Sequence, residues 1–302
     1  MIEDKMNLAP IVLFVYNRLD LTKQTVEALQ KNELANKSEL FIFSDAAKTE
    51  NIQFKVNRIR EYIKKISGFK KVIIFERKEN WGLANSVIDG VTKIVNKYGK
   101  IIVLEDDLVT SPYFLSFMNK ALELYKDEAK IASIHGYIYP IKNLPETFFI
   151  KGADCWGWAT WKDKWSIFES DGKKLLDEIK KKNLEREIDF NGSYGYTKML
   201  KDQIKGKNNS WAVRWYISVF LKDMITLYPG QSYVQNIGFD SDATHCKSKT
   251  DLFKINLNNQ FKLLKINPNE NFICRKKIEN FFNSINTSFY KRLKLKIASL
   301  IK

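Results

Sequence analysis

Between residues 11 and 125 the chain passes four times from a short apolar run to a stretch of helical spacing, and this alternation constrains its fold more than any other feature. Residues 11–16 form the longest apolar run, which predicts a buried strand. Further strands are predicted over 39–43, 71–75 and 100–104. Helices are predicted over 21–30, 54–66, 83–98 and 112–125, the last with Ser111 as N-cap and Pro112 in its first position. Strand–helix alternation predicts an α/β fold with a mostly parallel central sheet and helices on both faces. Ligands of such sheets bind at the carboxyl ends of the strands. Those ends carry Asn17 and Arg18, Asp45, Glu76 and Arg77, and Glu105, Asp106 and Asp107.

After residue 127 the pattern changes. Strands are predicted over 131–135, 147–150 and 225–228, and helices over 194–204 and 211–221, with a charged helical segment at 171–189. A tryptophan-rich stretch, CWGWATWKDKW, runs from Cys155 to Trp165. The chain shows no internal repeats. The organisation expected is one half over 1–130, a second half of the same domain over 131–274, and a C-terminal helical segment over 275–302.

The apolar strand ending in Glu105, Asp106 and Asp107 points to chemistry. Three adjacent carboxylates repel one another unless a cation is present. Mg2+ and Mn2+ commonly take one or two protein carboxylates together with waters and substrate phosphates, so a metal–diphosphate site suits this cluster. The alternative is a solvated turn with Asp107 near a helix start. Three cysteines with no CxxC pair and two histidines leave too few soft ligands for a zinc site, so a metal here would be held by oxygen.

Charge and targeting narrow the partners. The net charge is +15, but residues 275–302 carry eight Lys/Arg and one Glu, a net of +7. A charge excess gathered at one end argues against a nucleic-acid partner. In that segment Ile278, Phe281, Phe282, Ile285, Phe289, Leu293, Ile297 and Leu300 recur mostly three or four residues apart beside Lys291, Arg292, Lys294 and Lys296. Such a basic amphipathic helix suits either peripheral contact with an anionic membrane or packing on the body with a solvated basic face. The acidic start, Met1-Ile2-Glu3-Asp4, lacks the features of a signal peptide, and no apolar run approaches the roughly 20 residues of a bilayer span. A cytoplasmic protein is expected, placed at the inner face of the membrane if the basic segment binds there.

Four blocks taken in order, PIVLFVYNR (10–18), FIFSD (41–45), NWGLAN (80–85) and EDDLVTSPYFLSFM (105–118), followed by the tryptophan stretch, resemble nucleotide-sugar glycosyltransferases of the GT-A fold. Their order and spacing are similar to the N-acetylglucosaminyltransferase I family and to family 2 enzymes of bacterial polysaccharide synthesis. The resemblance covers residues 10–125 well and 150–246 loosely. It implies transfer of a hexosyl or N-acetylhexosaminyl group from a nucleotide-sugar, a UDP-sugar before others, to a glycan or lipid-linked acceptor in surface polysaccharide or glycoconjugate synthesis. It implies that Arg18 and Asp45 contact the nucleotide, that Asn80 and Asn85 approach the nucleotide-sugar, that Glu105 and Asp106 meet sugar or ribose hydroxyls, and that Asp107 holds Mn2+ or Mg2+.

The resemblance weakens at the catalytic base. Where the family places an acidic pair, this chain reads Trp211-Ala212-Val213-Arg214-Trp215. Arg214 suits a diphosphate, or an ion pair on a helix. Asp154 is the first candidate base, with Asp240 and Asp242 as alternatives, and His245 in the same polar loop is a candidate ligand of the metal or the diphosphate. Trp156 and Trp158 present flat faces that suit either an acceptor sugar or core packing, while Trp161 and Trp165 continue at helical spacing and suit the core. Two other functions fit parts of the pattern. A nucleotidyltransferase shares such a sheet, but no Gly-rich, cationic loop follows the first strand here. A degenerate module that binds glycan or membrane without turnover is the other, and the missing acid at Arg214 leaves it open.

Overall fold

A computed structural model describes residues 7–238 and 251–285. Eight strands form one sheet in the order β3 (Lys71–Glu76), β2 (Glu39–Ser44), β1 (Ile11–Val15), β4 (Lys100–Glu105), β8 (Trp158–Trp161), β6 (Ile131–His135), β9 (Ile225–Pro229) and β7 (Thr147–Lys151). The first four are parallel to one another. β8 runs antiparallel between β4 and β6, β9 is parallel to β6, and β7 closes the sheet antiparallel to β9. The mostly parallel central sheet read from the sequence is present. A short antiparallel ribbon, β5 (Leu108–Thr110) with β10 (Val234–Asn236), stands beside it.

Period-two alternation explains the two layers of helices. In β1, Ile11, Leu13 and Val15 belong to one core cluster with Val26 and Leu29 of α1 (Leu19–Gln30), Ile59 and Ile63 of α2 (Glu50–Ile63) and Phe117 of α4 (Phe114–Leu124). Val12 and Phe14 belong to the opposite cluster with Val87 and Val91 of α3 (Gly82–Tyr98) and Trp211 and Trp215 of α9 (Trp211–Leu221). Burial on both faces is why β1 reads as a continuous apolar run.

The second half adds four helices between β8 and α9. They are α5 (Lys162–Trp165), α6 (Gly172–Lys181), α7 (Glu185–Ile188) and α8 (Tyr196–Ile204). α6, α7 and α8 join α9 in a third apolar cluster around Phe148 and Ile150 of β7, while Trp165 of α5 belongs to the second. A last helix, α10, covers residues 272–285. It begins ahead of the charge shift at Arg275, and Cys274, Ile278 and Phe282 are buried in the third cluster. Arg275 is buried too, against Glu270 at 3.1 Å and Glu279 at 3.8 Å. The residues 275–285 of the expected separate segment are therefore part of the body. Its remainder, 286–302, lies outside the described residues. Among the described residues no helix is long and apolar enough to cross a membrane.

α4 starts at Phe114, two residues later than the sequence suggests. The Ser111 hydroxyl bonds the Asn258 carbonyl and also accepts from the Tyr113 N–H at 3.2 Å, which holds Pro112 and Tyr113 in a turn ahead of the helix.

Candidate functional site

The strand order reverses between β1 and β4. From β1 the chain moves outward through β2 and β3, then returns to β4 on the other side. The crevice outside such a reversal is where open α/β sheets take ligands. Here Arg18 leaves β1 on one lip, and Glu105, Asp106 and Asp107 leave β4 on the other.

The lips are joined. Arg18 Nη2 donates to Asp106 Oδ1 and, at 2.9 Å, to Asp107 Oδ2. The backbone beneath is fixed from three sides. Thr25 Oγ1 donates to the Asp106 carbonyl at 3.0 Å, the Ile237 N–H donates to the Asp107 carbonyl at 2.9 Å, and the Trp211 side chain hydrogen-bonds Glu105. Gly238 then passes so close that a Cβ there would lie 2.1 Å from Asp107 Oδ2.

One guanidinium does not balance three carboxylates. Burial, then the charges of Asp107 and Asp106, push Glu105 up to about 8 against the pull of Arg18. Burial also pushes Asp106 up to about 6, although Arg18 opposes it. Burial works against the Arg18 charge as well, but the fields of Asp106 and Asp107 outweigh it and hold the guanidinium charged. Among the described residues no group of three or more His, Cys, Asp or Glu surrounds a metal position. A cluster short of positive charge, made only of oxygen donors, fits Mg2+ or Mn2+ held by one or two carboxylates, with phosphate and water completing the shell.

Asp45 ends β2 and is committed to α3. Its Oδ1 accepts from the N–H groups of Ala46 and Trp81, both at 2.9 Å. Its Oδ2 accepts from the Gly82 N–H at 2.8 Å and from Asn80 Nδ2 at 3.2 Å. Asp45 is thus a long-range cap for the unpaired N–H groups at the start of α3. The four bonds fill the acceptor sites of its carboxylate. Asn80 also donates to the Ala46 carbonyl at 2.7 Å, and Asn85 donates to the Trp81 carbonyl at 3.0 Å from an exposed position. Arg77, which the sequence places at a strand end, and Trp81, within the block 80–85, were given no role from the sequence and also stand on this rim. The Arg77 guanidinium lies 3.8 Å over the Trp81 ring and pairs with Asp89, and Trp81 is 40% exposed. A strand-end Arg four residues before a Trp was their only signal.

Trp158 pairs with Val103 of β4, so residues 152–157 reach the sheet edge beside the acids. There Asp154 Oδ2 accepts from the hydroxyls of Tyr139 at 3.2 Å and Tyr228 at 3.4 Å, and Oδ1 from Tyr196 at 3.4 Å. Burial raises the Asp154 pKa, and the three hydroxyls oppose the rise. The neighbouring Cys155 thiol is pushed up by burial, then by the charges of Asp154 and Glu105, so both acids lie within its field. The three tyrosines lie 15, 42 and 74 residues from Asp154, and no local pattern announces them.

The two candidate tryptophans separate. Trp156 is half-buried, edge-on to Tyr137 with centroids 4.8 Å apart, and its backbone N–H donates to His135 Nε2 at 3.1 Å. Trp158 is 0% exposed and packs among Trp165, Trp211 and Trp215. The expectation of acceptor contact at Trp158 is therefore corrected: it is a core residue. Gly157, at φ +67°, breaks the extended backbone between the two rings. Arg214 is also corrected as a diphosphate clamp. It is buried, its Nε donates to the Ser210 carbonyl at 3.1 Å and its Nη1 to the Ser170 carbonyl at 3.0 Å, which ties α9 to the loop before α6. Asp240, Asp242 and His245 lie outside the described residues.

The family model described as Glycosyl transferase family 2 matches residues 11–182. No curated protein matches the chain. Among solved structures, the mannosyltransferase PcManGT from Pyrobaculum calidifontis, in complex with GDP-Man and Mn2+, is similar at 14% identity, over 46% of this chain and 40% of that one, with a TM-score of 0.31. Residues 1–349 of TarS from S. aureus are similar at 11% identity, over 51% of this chain and 47% of that one, with a TM-score of 0.32. A UDP-glucose pyrophosphorylase complexed with UDP-glucose is similar at 13% identity, over 74% of this chain and 90% of that one, with a TM-score of 0.38. The chain spans less than half the length of the first two.

Proposed function

The chain belongs to glycosyl transferase family 2, and from that premise we propose that it moves a sugar from a nucleotide-diphosphate sugar, a UDP-sugar before others, to a glycan or lipid-linked acceptor. The observation that carries the reading is the meeting of Arg18 with Asp106 and Asp107 at the reversal of the strand order.

In this reading Asp107, with Glu105 or Asp106 beside it, would hold Mn2+ or Mg2+, which when bound neutralises the charge of a departing diphosphate. Arg18 keeps the acids in register and offers its remaining N–H groups to donor oxygens. The rim of Asn80, Trp81 and Asn85 receives the nucleotide, with Asp45 supporting it from behind through the start of α3. Asp154 takes the proton of the acceptor hydroxyl as that oxygen attacks the anomeric carbon. Burial suits Asp154 to that role, because it brings a carboxylate's affinity for protons closer to neutrality. Trp156 offers the acceptor a flat apolar face. The basic composition of residues 286–302 supports contact with an anionic membrane surface, where a lipid-linked acceptor would be met.

The test is thermal unfolding with UDP, GDP, CDP and dTDP, each with and without Mn2+. A ligand at a hundredfold its Kd adds about 2.7 kcal/mol, which moves the midpoint by several degrees. A Mn2+-dependent shift with one nucleotide supports the site and names the donor. No shift with any of them, in folded protein, overturns it.

A further inference from the structure

A cavity of about 650 Å3 opens beside the carboxyl ends of β6 and β9, with Tyr139, Lys142, Gln231, Ser232, Lys254 and Asn256 on its wall. β6 and β9 run in the same direction as β4, so the cavity shares the sheet edge with Glu105, Asp106 and Asp107. Tyr139 links it to the proposed base, because its hydroxyl donates to Asp154 Oδ2 at 3.2 Å.

The charge of this wall is one-sided. Lys142 and Lys254 are exposed, and among the described residues neither pairs with a carboxylate. No carboxylate is among the residues lining the cavity. Lys262, Lys265 and Lys276, by contrast, meet Glu146, Glu128 and Glu279. Two ammonium groups left without counter-charge on one wall favour an anion there. Gln231 and Asn256 supply the mixed donors and acceptors that sugar hydroxyls need, and Ile138, Ile141 and Ile255 supply apolar wall.

We propose that this cavity is the acceptor site and that it selects an acceptor sugar bearing a negative group, a phosphate or a carboxylate. The assignment rests on the glycosyl-transfer reading above for the word acceptor. The selection by charge rests on the cavity itself.

The experiment measures binding of glucose 6-phosphate, glucuronate and glucose by calorimetric titration, to the full chain and to a Lys142→Glu/Lys254→Glu double variant. Both lysines are exposed, so the variant keeps its fold, which the unfolding midpoint checks. Wild type binds the two charged sugars at least tenfold more tightly than glucose, more weakly as salt rises, and the double variant loses that preference. Binding of glucose 6-phosphate alone narrows the group to phosphate. Equal binding of all three sugars, or an unchanged preference in the double variant, overturns the proposal. The nucleotide and Mn2+ shifts measured on the same two proteins keep the readings apart. They are retained in the variant if the donor site is as proposed, and absent from both proteins if that reading fails while charged sugars still bind.

Discussion

Gly238 leaves no room for a side chain against Asp107: a Cβ at residue 238 would lie 2.1 Å from the Asp107 Oδ2 and 3.0 Å from its Cβ. The backbone of the two segments is also joined, through the Ile237 N–H and the Asp107 carbonyl at 2.9 Å. Gly238→Ala must therefore move either the Asp107 carboxylate or the strand end that carries Gly238. The expected result is a loss of at least tenfold in sugar transfer and a weaker Mn2+-dependent nucleotide shift. The unfolding midpoint without ligand should change little, because the contact touches one side chain at the sheet edge. Unchanged nucleotide binding in Gly238→Ala would remove Asp107 from the proposed site.

Asp45→Ala should act on stability first. It removes four acceptor bonds and leaves the N–H groups of Trp81 and Gly82 without their cap. Loss of a helix cap of this kind costs about 2 kcal/mol. Urea unfolding should show that loss with an unchanged slope, and α3 amides should exchange faster. A stable Asp45→Ala protein that fails only in nucleotide binding would give Asp45 a direct contact instead.

His135 contributes a pH dependence of definite sign. It is buried, its Nε2 accepts from the Trp156 N–H, and burial pushes its pKa down to about 3. An unfolded chain protonates this histidine near 6.5, whereas the folded chain does not until about 3. The unfolded state therefore binds more protons between those values, and the histidine's contribution to stability falls as pH drops through that window, by up to about 1.4 kcal/mol per pH unit. Glu105, Asp106 and Asp154 act in the opposite sense, because their folded pKa values are raised. Comparing wild type with His135→Gln at pH 7, 6 and 5 isolates the histidine. The gap between them should narrow or reverse in favour of the variant as pH falls, and a constant gap would refute this.

The two tryptophans should part in any assay. Trp158→Ala opens a large cavity among three other indoles and should cost about 3–5 kcal/mol. Trp156→Ala should cost far less and raise the KM for acceptor while sparing nucleotide binding. Equal losses of stability in the two variants would place both rings in the core.

The fold was legible because its signal is local. A strand buried on both faces is a run of apolar residues, and a helix on a sheet repeats every three or four residues; both survive in a single sequence. Arg18 and the acids of 105–107 were legible for the same reason, as they sit where apolar strands stop. What escaped was set by contacts across the chain. Asp45 reads as a strand-end turn residue, yet its partners lie 36 and 37 residues on, at the start of α3. Trp156 and Trp158 are spaced as if they shared a face, but across the left-handed Gly157 one ring lies half-buried against the first cluster and the other is buried in the second. Arg275 marks a change in composition without marking a change in packing, because its charge is answered by Glu270 and Glu279.

That last pairing has a practical consequence for trimming the chain. A truncation at Arg275 would discard most of α10 along with the basic residues. It would strip Ile278 and Phe282 from the third cluster and leave Glu270, whose side chain is only 10% exposed, without its guanidinium. Ending the chain after residue 285 would keep the helix and its ion pairs while removing Lys291, Arg292, Lys294, Lys296 and Lys302 together. The shorter protein is the one in which the role of those charges can be separated from the integrity of the body.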